Sequence, residues 1–572
     1  MEVEEAPLTQ NTEAETNTPD SIDIAPEEIL QEVTEDLQHN IPIQAVDLLL
    51  EADMIDSLTD MKEVDQTNVW KICQYLLRIV YFHYEASEKE KIYNTVYTLC
   101  SRFHLWVDRL ICAIVMKNDQ FVIDTFNECD DLLAKKQLCE VIAKVRLSHL
   151  LPSQPEPFSS ILSSSYLSDW YEEAAKQLDI ASPRLPSSIL SIPQDDRNYA
   201  SEKKQAAQAI VNGLLNLGHG SEQYFRDESG RWTDGFEKNK DTGLMLAAAS
   251  MGLIYMWSPY EGLNMVVSLL SHPSPDVRIG ASLAVGLINS GIFNPAEDVT
   301  LNVLYSQLST SIQSSSSRSS SAAYSASLLS LALTYANSAR LDLLPFLLGA
   351  IQNGSLETAA AGSIAAGLIF CGRRNPDLIR EMIIRLADIK AENEDSVSAL
   401  MLGLGFGMLF TGCQTEYSNL PEVANLPEVP PRYAKFIQLC VMGCSYLGSQ
   451  NIIVIHQVLE MLNREEADLV EANRQKKKEE KKDAKKDSPI QSSPLAALGL
   501  GFTSPRPSMK PEEVAAKAKE DNEYHLKMMV LVIAMIAAGE HVNEEMITRT
   551  LELLLVYSSK SVTEVVLLAI AL

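Results

Sequence analysis

Apolar and small residues recur along the second half of the 572-residue chain in one short pattern. A small residue is followed by three mostly apolar residues, one variable residue and then, usually, glycine. The pattern reads Gly252-Leu-Ile-Tyr-Met-Trp257, Gly286-Leu-Ile-Asn-Ser-Gly291, Ala332-Leu-Thr-Tyr-Ala-Asn337 and Gly367-Leu-Ile-Phe-Cys-Gly372. It returns as Gly407-Met-Leu-Phe-Thr-Gly412, Gly443-Cys-Ser-Tyr-Leu-Gly448 and Ala534-Met-Ile-Ala-Ala-Gly539. The first six anchors lie 34 to 46 residues apart, the period of a helical repeat array. A unit of that size cannot bury its own apolar face, so neighbours must stack. Each unit reads as an inner helix rich in Ala, Gly and Leu, and an outer amphipathic one such as 264–270. Small residues on the inner helix permit close helix–helix approach.

The first half carries helical periodicity without this motif. Apolar positions predict helices over 43–51, 68–84, 93–102, 107–116, 121–129 and 135–147, a run of helical hairpins. Pro152, Pro155 and Pro157 end it. Further helices are expected over 169–178 and 202–217, with Pro183, Pro186 and Pro193 between them. The expected organisation is thus all-α. An acidic disordered segment (1–26) precedes a helical-hairpin rod (27–150) and a connecting helical region (151–238). Repeats follow over 239–463, then a charged disordered insertion (464–526) and resumed repeats (527–572). The insertion contains the lysine-rich run 476–486 and a Ser/Pro/Gly-rich stretch, a composition that supports no packed core. The last residues, Val-Val-Leu-Leu-Ala-Ile-Ala-Leu572, fall inside an inner-helix pattern where an array is expected to end in a polar cap. The sequence is therefore expected to be a fragment, truncated at the C-terminus.

A formal net charge of −30 disfavours nucleic acid, whose phosphates would be repelled, and suits partners with basic or apolar-plus-basic surfaces. The nine cysteines form no CxxC and lie mostly in apolar helical stretches, so they read as buried free thiols of a reducing compartment. The longest apolar runs, 243–257 and 528–538, are short for a bilayer span and read as buried repeat helices. No histidine has ligand spacing with another His or Cys. Cys440 and Cys444, one turn apart, read as packing. Gly403-Leu-Gly405-Phe-Gly407 lacks the GxGxxG spacing, and the chain contains no P-loop, GxSxG or HExxH. No constellation supports catalysis.

One outer helix carries more information. At about 100° per residue, Ile379, Met382, Ile383 and Leu386 fall on one side, while Asp377, Glu381, Ile384 and Asp388 fall on the other, flanked by Arg380 and Arg385. An isoleucine among carboxylates on the solvent side is either a solvated face with a stray apolar residue or a docking stripe for an apolar patch rimmed by Lys or Arg.

The repeats resemble proteasome/cyclosome repeats, and the closer resemblance is to the 26S proteasome non-ATPase regulatory subunit 2 family. The stretches that carry it are Lys238-Asn-Lys-Asp-Thr-Gly-Leu-Met-Leu-Ala-Ala-Ala-Ser-Met-Gly-Leu-Ile-Tyr-Met-Trp257, Val277-Arg-Ile-Gly-Ala-Ser-Leu-Ala-Val-Gly-Leu-Ile-Asn-Ser-Gly291 and Asp47-Leu-Leu-Leu-Glu-Ala-Asp-Met-Ile-Asp56. The likeness covers roughly 40–572. It implies a helical rod leading into a toroidal α-solenoid and a non-catalytic scaffold with no cofactor or metal. It also implies location in cytoplasm and nucleus, attachment to the proteasomal ATPase ring, and docking of ubiquitin, ubiquitin-like domains of shuttle receptors and a deubiquitinase. The family's ubiquitin-binding helix has acids at i, i+7 and i+11. Asp377 and Asp388 match the outer two, Ile384 stands in the middle, and Glu381 on the same face is the expected substitute. Glu261 and Asn264 match the family's acid–amide pair that docks the deubiquitinase's ubiquitin-like domain. The alternatives are the sister repeat subunit or an anaphase-promoting-complex scaffold, without ubiquitin docking.

Overall fold

The structure is a computed structural model. It describes residues 25–80, 86–180, 182–186, 202–227, 229–237, 239–256, 258–291, 298–313, 318–390, 392–414, 429–467, 524–539, 544–558 and 560–572. The described residues are helical throughout, apart from turns and one isolated bridge between Arg226 and Trp232. None of the described helices is long and apolar enough to cross a membrane. The chain forms two compact units, 1–138 and 139–572. Most of the acidic segment expected to be disordered, 1–24, and the central part of the insertion, 468–523, lie outside the described residues.

The first unit contains α1 (Pro26–Gln38), α2 (Pro42–Glu51), α3 (Val69–Ile79), α4 (Ala86–Arg102), α5 (Trp106–Val115), α6 (Asp119–Glu128) and the start of α7 (Leu132–Lys144). Consecutive helices from α1 to α6 pack on one another. Their apolar stripes merge into one core around Val46, Leu49, Ile72, Leu76, Val96 and Leu99. The helices end in a shared way. Asn40, Asp53, His104 and Lys117 adopt left-handed backbone, with φ between 53° and 59°. The next amide then reaches back to the helix, as in Leu105 N to Cys100 O at 2.9 Å and Asn118 N to Ala113 O at 3.1 Å. This is the C-cap geometry that glycine fills at least cost. Lys117→Gly is therefore expected to stabilise the chain by about 1 kcal/mol, read as a higher urea midpoint at unchanged slope.

The second unit continues with α8 (Phe158–Leu162), α9 (Tyr166–Gln177), α10 (Glu202–Leu215) and α11 (Asp234–Glu237). The repeats follow. Inner helices are α12 (Thr242–Ile254), α14 (Pro275–Ile288), α16 (Arg318–Thr334), α18 (Leu356–Ile369) and α20 (Val397–Met408). Outer helices are α13 (Pro259–Leu270), α15 (Val299–Gln313), α17 (Leu344–Asn353) and α19 (Pro376–Ala387). Inner α21 (Pro431–Ser445), outer α22 (452–467), inner α23 (Tyr524–Ala537), outer α24 (Glu544–Tyr557) and inner α25 (Lys560–Ala571) complete the series. Each inner helix packs on the next, giving an α-solenoid.

Both small residues of the motif have a physical task. The anchors lie where neighbouring inner helices touch backbone to backbone. A Cβ on Gly252 would sit 2.6 Å from Ala284 Cα, one on Gly286 2.5 Å from Ser330 Cα, and one on Gly367 2.6 Å from Gly405 O. The closing glycine turns the chain left-handed so that it can cap the next unit. Gly372 (φ 63°) donates its N–H to Met408 O at 3.2 Å, and Arg374 donates to Leu409 O at 3.2 Å. Gly412 and Gln414 do the same to Cys444 and Ser445, at 3.1 and 3.0 Å. Gly448 and Gln450 reach Met535 and Ile536, at 2.9 and 3.0 Å. Asn337, which stands in the glycine position with φ 61°, serves Leu368 at 2.7 Å. The last carbonyls of an inner helix, which have no partner within it, are thus met by the preceding repeat.

Both ends of the expected insertion are described. Residues 464–467 and 524–526 are helical. Tertiary contacts override composition at both ends. Glu465 is paired with Lys435 and lies 3.0 Å from the His525 imidazole, while Tyr524 packs edge-on against Phe436.

Candidate functional site

Helix α19 begins at Asn375, whose side chain accepts from the N–H groups of Asp377 and Leu378 at 3.1 and 3.2 Å, followed by Pro376. That arrangement is a well-formed N-cap, and it fixes the rotation of the helix. Leu378, Ile379, Met382 and Leu386 are buried against the array. Asp377, Ile384 and Asp388 face outward, and Ile384 is 54% exposed.

Two features differ from the sequence expectation. Glu381 does not stand open beside the other acids, for its side chain is only 15% exposed. It lies about 40° round the helix from Asp377, toward the flank where Arg385 donates to Gly354 O at 2.8 Å. The acids are also paired within the helix. Arg380 lies 3.5 Å from Asp377 and 3.2 Å from Glu381, and Arg385 lies 3.8 Å from Asp388. Two guanidiniums therefore offset three carboxylates; the contacts to Asp377 and Asp388, whose carboxylates are more than half exposed, are individually weak and yield to a better partner.

Helix α13 is set differently. Its buried side is Gly262, Val266 and Leu269, and a Cβ on Gly262 would stand 2.6 Å from Tyr255 Cβ. The missing side chain lets the outer helix lie directly on the end of the inner one. Glu261 and Asn264 both face outward, as their i,i+3 spacing demands. Glu261 has no ion-pair partner among the described residues, and it sits in the first turn, where the helix dipole favours an acid. Two neighbours were not singled out from sequence. Tyr260 is 79% exposed, and Val267 is also outside. Tyr260, Asn264 and Val267 form one i, i+4, i+7 line with Glu261 and Ser268 beside it. The signal was present in the spacing, but an apolar residue on an outer helix reads by default as core.

The structure thus yields two separate outer-helix faces, α19 with exposed Ile384 among carboxylates and α13 with exposed Tyr260 and Val267 beside the single carboxylate of Glu261. Neither is a concave catalytic site. Among the described residues no group of three or more His, Cys, Asp or Glu is placed to hold a metal ion. Cys440 and Cys444 are buried in α21, and burial pushes both thiols up, Cys444 to about 12.

Comparison with known proteins agrees with the resemblance in the sequence. A family model for the RPN1 N-terminal domain matches residues 9–192. The chain is 24% identical over 430 residues to 26S proteasome non-ATPase regulatory subunit 2 of Dictyostelium discoideum, covering 74% of this chain and 46% of that protein. It is 24% identical over 460 residues to 26S proteasome non-ATPase regulatory subunit 2 homolog A of Arabidopsis thaliana, covering 77% of this chain and 50% of that protein. A similar match, 24% over 449 residues, is found with 26S proteasome regulatory subunit rpn-1 of Neurospora crassa. The chain spans about half the length of the curated relatives it matches.

Proposed function

We propose that this chain, a relative of the 26S proteasome non-ATPase regulatory subunit 2 family, is a non-catalytic scaffold of the proteasome regulatory particle. In this reading it binds the ATPase ring and docks ubiquitin, the ubiquitin-like domains of shuttle receptors and a deubiquitinase, in cytoplasm and nucleus. The observation that carries the docking part is the outward face of α13. There Glu261, which has no ion-pair partner among the described residues, and the amide of Asn264 lie beside exposed Tyr260 and Val267. A carboxylate next to apolar area complements an apolar patch rimmed by Lys or Arg, the surface that ubiquitin-like folds present. Charge at such a rim sets orientation and on-rate more than affinity, so each face binds weakly and linked modules gain by avidity.

The α19 face is the weaker of the two. A ubiquitin rim must displace Arg380 and Arg385 from Asp377 and Asp388, which lowers the electrostatic gain. A scaffold whose α19 is only a solvated face is the second reading, and this internal pairing is what favours it.

NMR titration of labelled ubiquitin and of a labelled ubiquitin-like domain against the chain separates them. Glu261→Lys is expected to weaken the ubiquitin-like domain several-fold and to reduce the salt dependence of its binding, since a screened attraction has been removed. Ile384→Ala is expected to weaken ubiquitin by roughly 1–2 kcal/mol with little change in salt slope, because apolar contact alone is lost. Asp377→Lys with Asp388→Lys weakens ubiquitin and flattens its salt slope. If α19 variants bind as the parent does while α13 variants do not, the second reading holds. Failure of all variants to differ removes both faces. Attachment to the ATPase ring is tested separately, by co-purification of the tagged chain with ATPase subunits.

A further inference from the structure

The first unit holds a thiol cluster that scaffold function does not use. Cys73 lies on the buried face of α3 with Val69, Ile72 and Leu76. Cys100 lies near the end of α4, and Cys112 on the buried face of α5. All three are buried and free. The Cys100 thiol donates toward the Cys73 sulfur, with the two Sγ atoms 3.9 Å apart. Cys112 lies in the same buried core.

We propose that Cys73 and Cys100 are a redox pair, which a peroxide-class oxidant converts to a disulfide joining α3 to α4. The sulfurs are already in van der Waals contact and must close by about 1.9 Å to reach bonding distance. The helices that carry them pack directly on each other. The chemistry balances with one peroxide. The Cys73 sulfur, which receives the hydrogen bond, attacks one peroxide oxygen. An S–O bond forms, the O–O bond breaks, and the departing oxygen leaves as water. The Cys100 sulfur then attacks the sulfenic sulfur, and the S–O bond breaks to release a second water. Two thiols lose two electrons and two protons, and the peroxide is reduced to two waters.

Rate is governed by access. The contact with Cys73 and burial push the Cys100 thiol far up, and burial raises Cys112 to about 12. Neither is a ready nucleophile in the closed fold. Oxidation proceeds through open states of α3 and α4, and it is slower than at the part-exposed Cys371 and Cys413. Once formed, the bond suppresses the same opening that admitted the oxidant, so the pair acts as a slow lock on this unit under sustained oxidation.

The test uses the full chain, reduced, desalted and exposed to hydrogen peroxide. Aliquots are alkylated in denaturant, digested with trypsin without reduction and analysed by mass spectrometry. Cys73 and Cys100 fall in separate peptides, 72–78 and 92–102, and Cys112 in a third, 110–117. The expected product is the 72–78/92–102 pair, lighter by two hydrogens than the sum of its parts and lost on dithiothreitol treatment. It persists in Cys112→Ala and is absent from Cys73→Ala and Cys100→Ala. Amide exchange of α4 in the oxidised chain is expected to slow at least tenfold. Cys73 and Cys100 still alkylated after exposure prolonged many-fold beyond complete oxidation of Cys371 and Cys413 overturns the proposal. So does a link from either cysteine to 110–117 in place of the expected one. Both readings use the parent chain, so neither depends on a variant folding.

Discussion

Gly405→Val is expected to cost about 4 kcal/mol or more and to unfold the repeats around α18 and α20 well below the parent's midpoint. A Cβ at Gly405 would stand 2.5 Å from the carbonyl carbon and oxygen and from the Oγ of Ser363. A Cβ on Gly367 would in turn stand 2.6 Å from Gly405 O. The obstructing atoms are largely backbone, so no rotamer change relieves the contact, and the two inner helices must separate. Separation strains the whole interface, because Ser363 Oγ also donates to Leu402 O at 3.0 Å and the buried faces of both helices interlock. Gly349→Ala is the control. That glycine lies on outer helix α17, where a Cβ would meet only Tyr324 Oη at 3.9 Å. Alanine there is expected to stabilise by up to about 1 kcal/mol through helix propensity. Urea unfolding followed by circular dichroism reads both. A Gly405→Val chain with the parent's midpoint would show that glycine at the α18–α20 contact is not there for close helix approach.

That contrast also shows how far the sequence could be read. The anchors Gly252, Gly286, Gly367 and Gly407 were legible because small residues at a fixed period on an apolar helix have one ready physical use, close packing. The closing residues Gly372, Gly412 and Gly448 recurred just as plainly, yet their task was not legible. Each turn serves carbonyls of the following repeat, such as Gly372 N to Met408 O, and nothing local to residue 372 names that acceptor. Asn337 keeping the same φ without being glycine shows that the backbone conformation, not the residue, is what the pattern encodes. The amphipathic rotation of α19 was readable to within a residue, and Ile384 lies where the wheel put it. The pairing of Arg380 and Arg385 with the acids was not readable, because it depends on side-chain rotamers and on where Gly354 lies. The helical ends of the expected insertion, 464–467 and 524–526, were not readable for a related reason. Charge and low hydrophobicity describe a solvated segment, whereas Glu465 and His525 are held by partners distant in sequence.

The second large effect is expected at Arg109 in α5. Its side chain is only 5% exposed, and its guanidinium joins three helices. It lies 2.6 Å from Glu128 Oε2, donates to Tyr97 Oη at 2.9 Å, and stacks over the Tyr97 and Trp106 rings at 4.7 and 5.8 Å. Tyr97 is itself stacked on Phe121 at 4.5 Å, so the cation closes a polar and aromatic cluster over the apolar core. Burial disfavours this charge, yet the hydrogen bonds to Glu128 and Tyr97 outweigh it and hold the guanidinium above its usual range. Arg109→Ala removes the hydrogen bonds, the cation–π contacts and the packed stem together. Glu128 is 58% exposed and regains water, so the loss is smaller than for a fully buried pair, about 2–4 kcal/mol. Arg109→Lys keeps the charge but not the fork, and recovers less than half of that. Hydrogen exchange on the full chain locates the effect. Amides of α4, α5 and α6 are expected to exchange roughly 30- to 1,000-fold faster in Arg109→Ala, while α18 to α21 keep their protection. Unchanged exchange in α4 to α6 would show that the aromatic stack holds these helices without the cation.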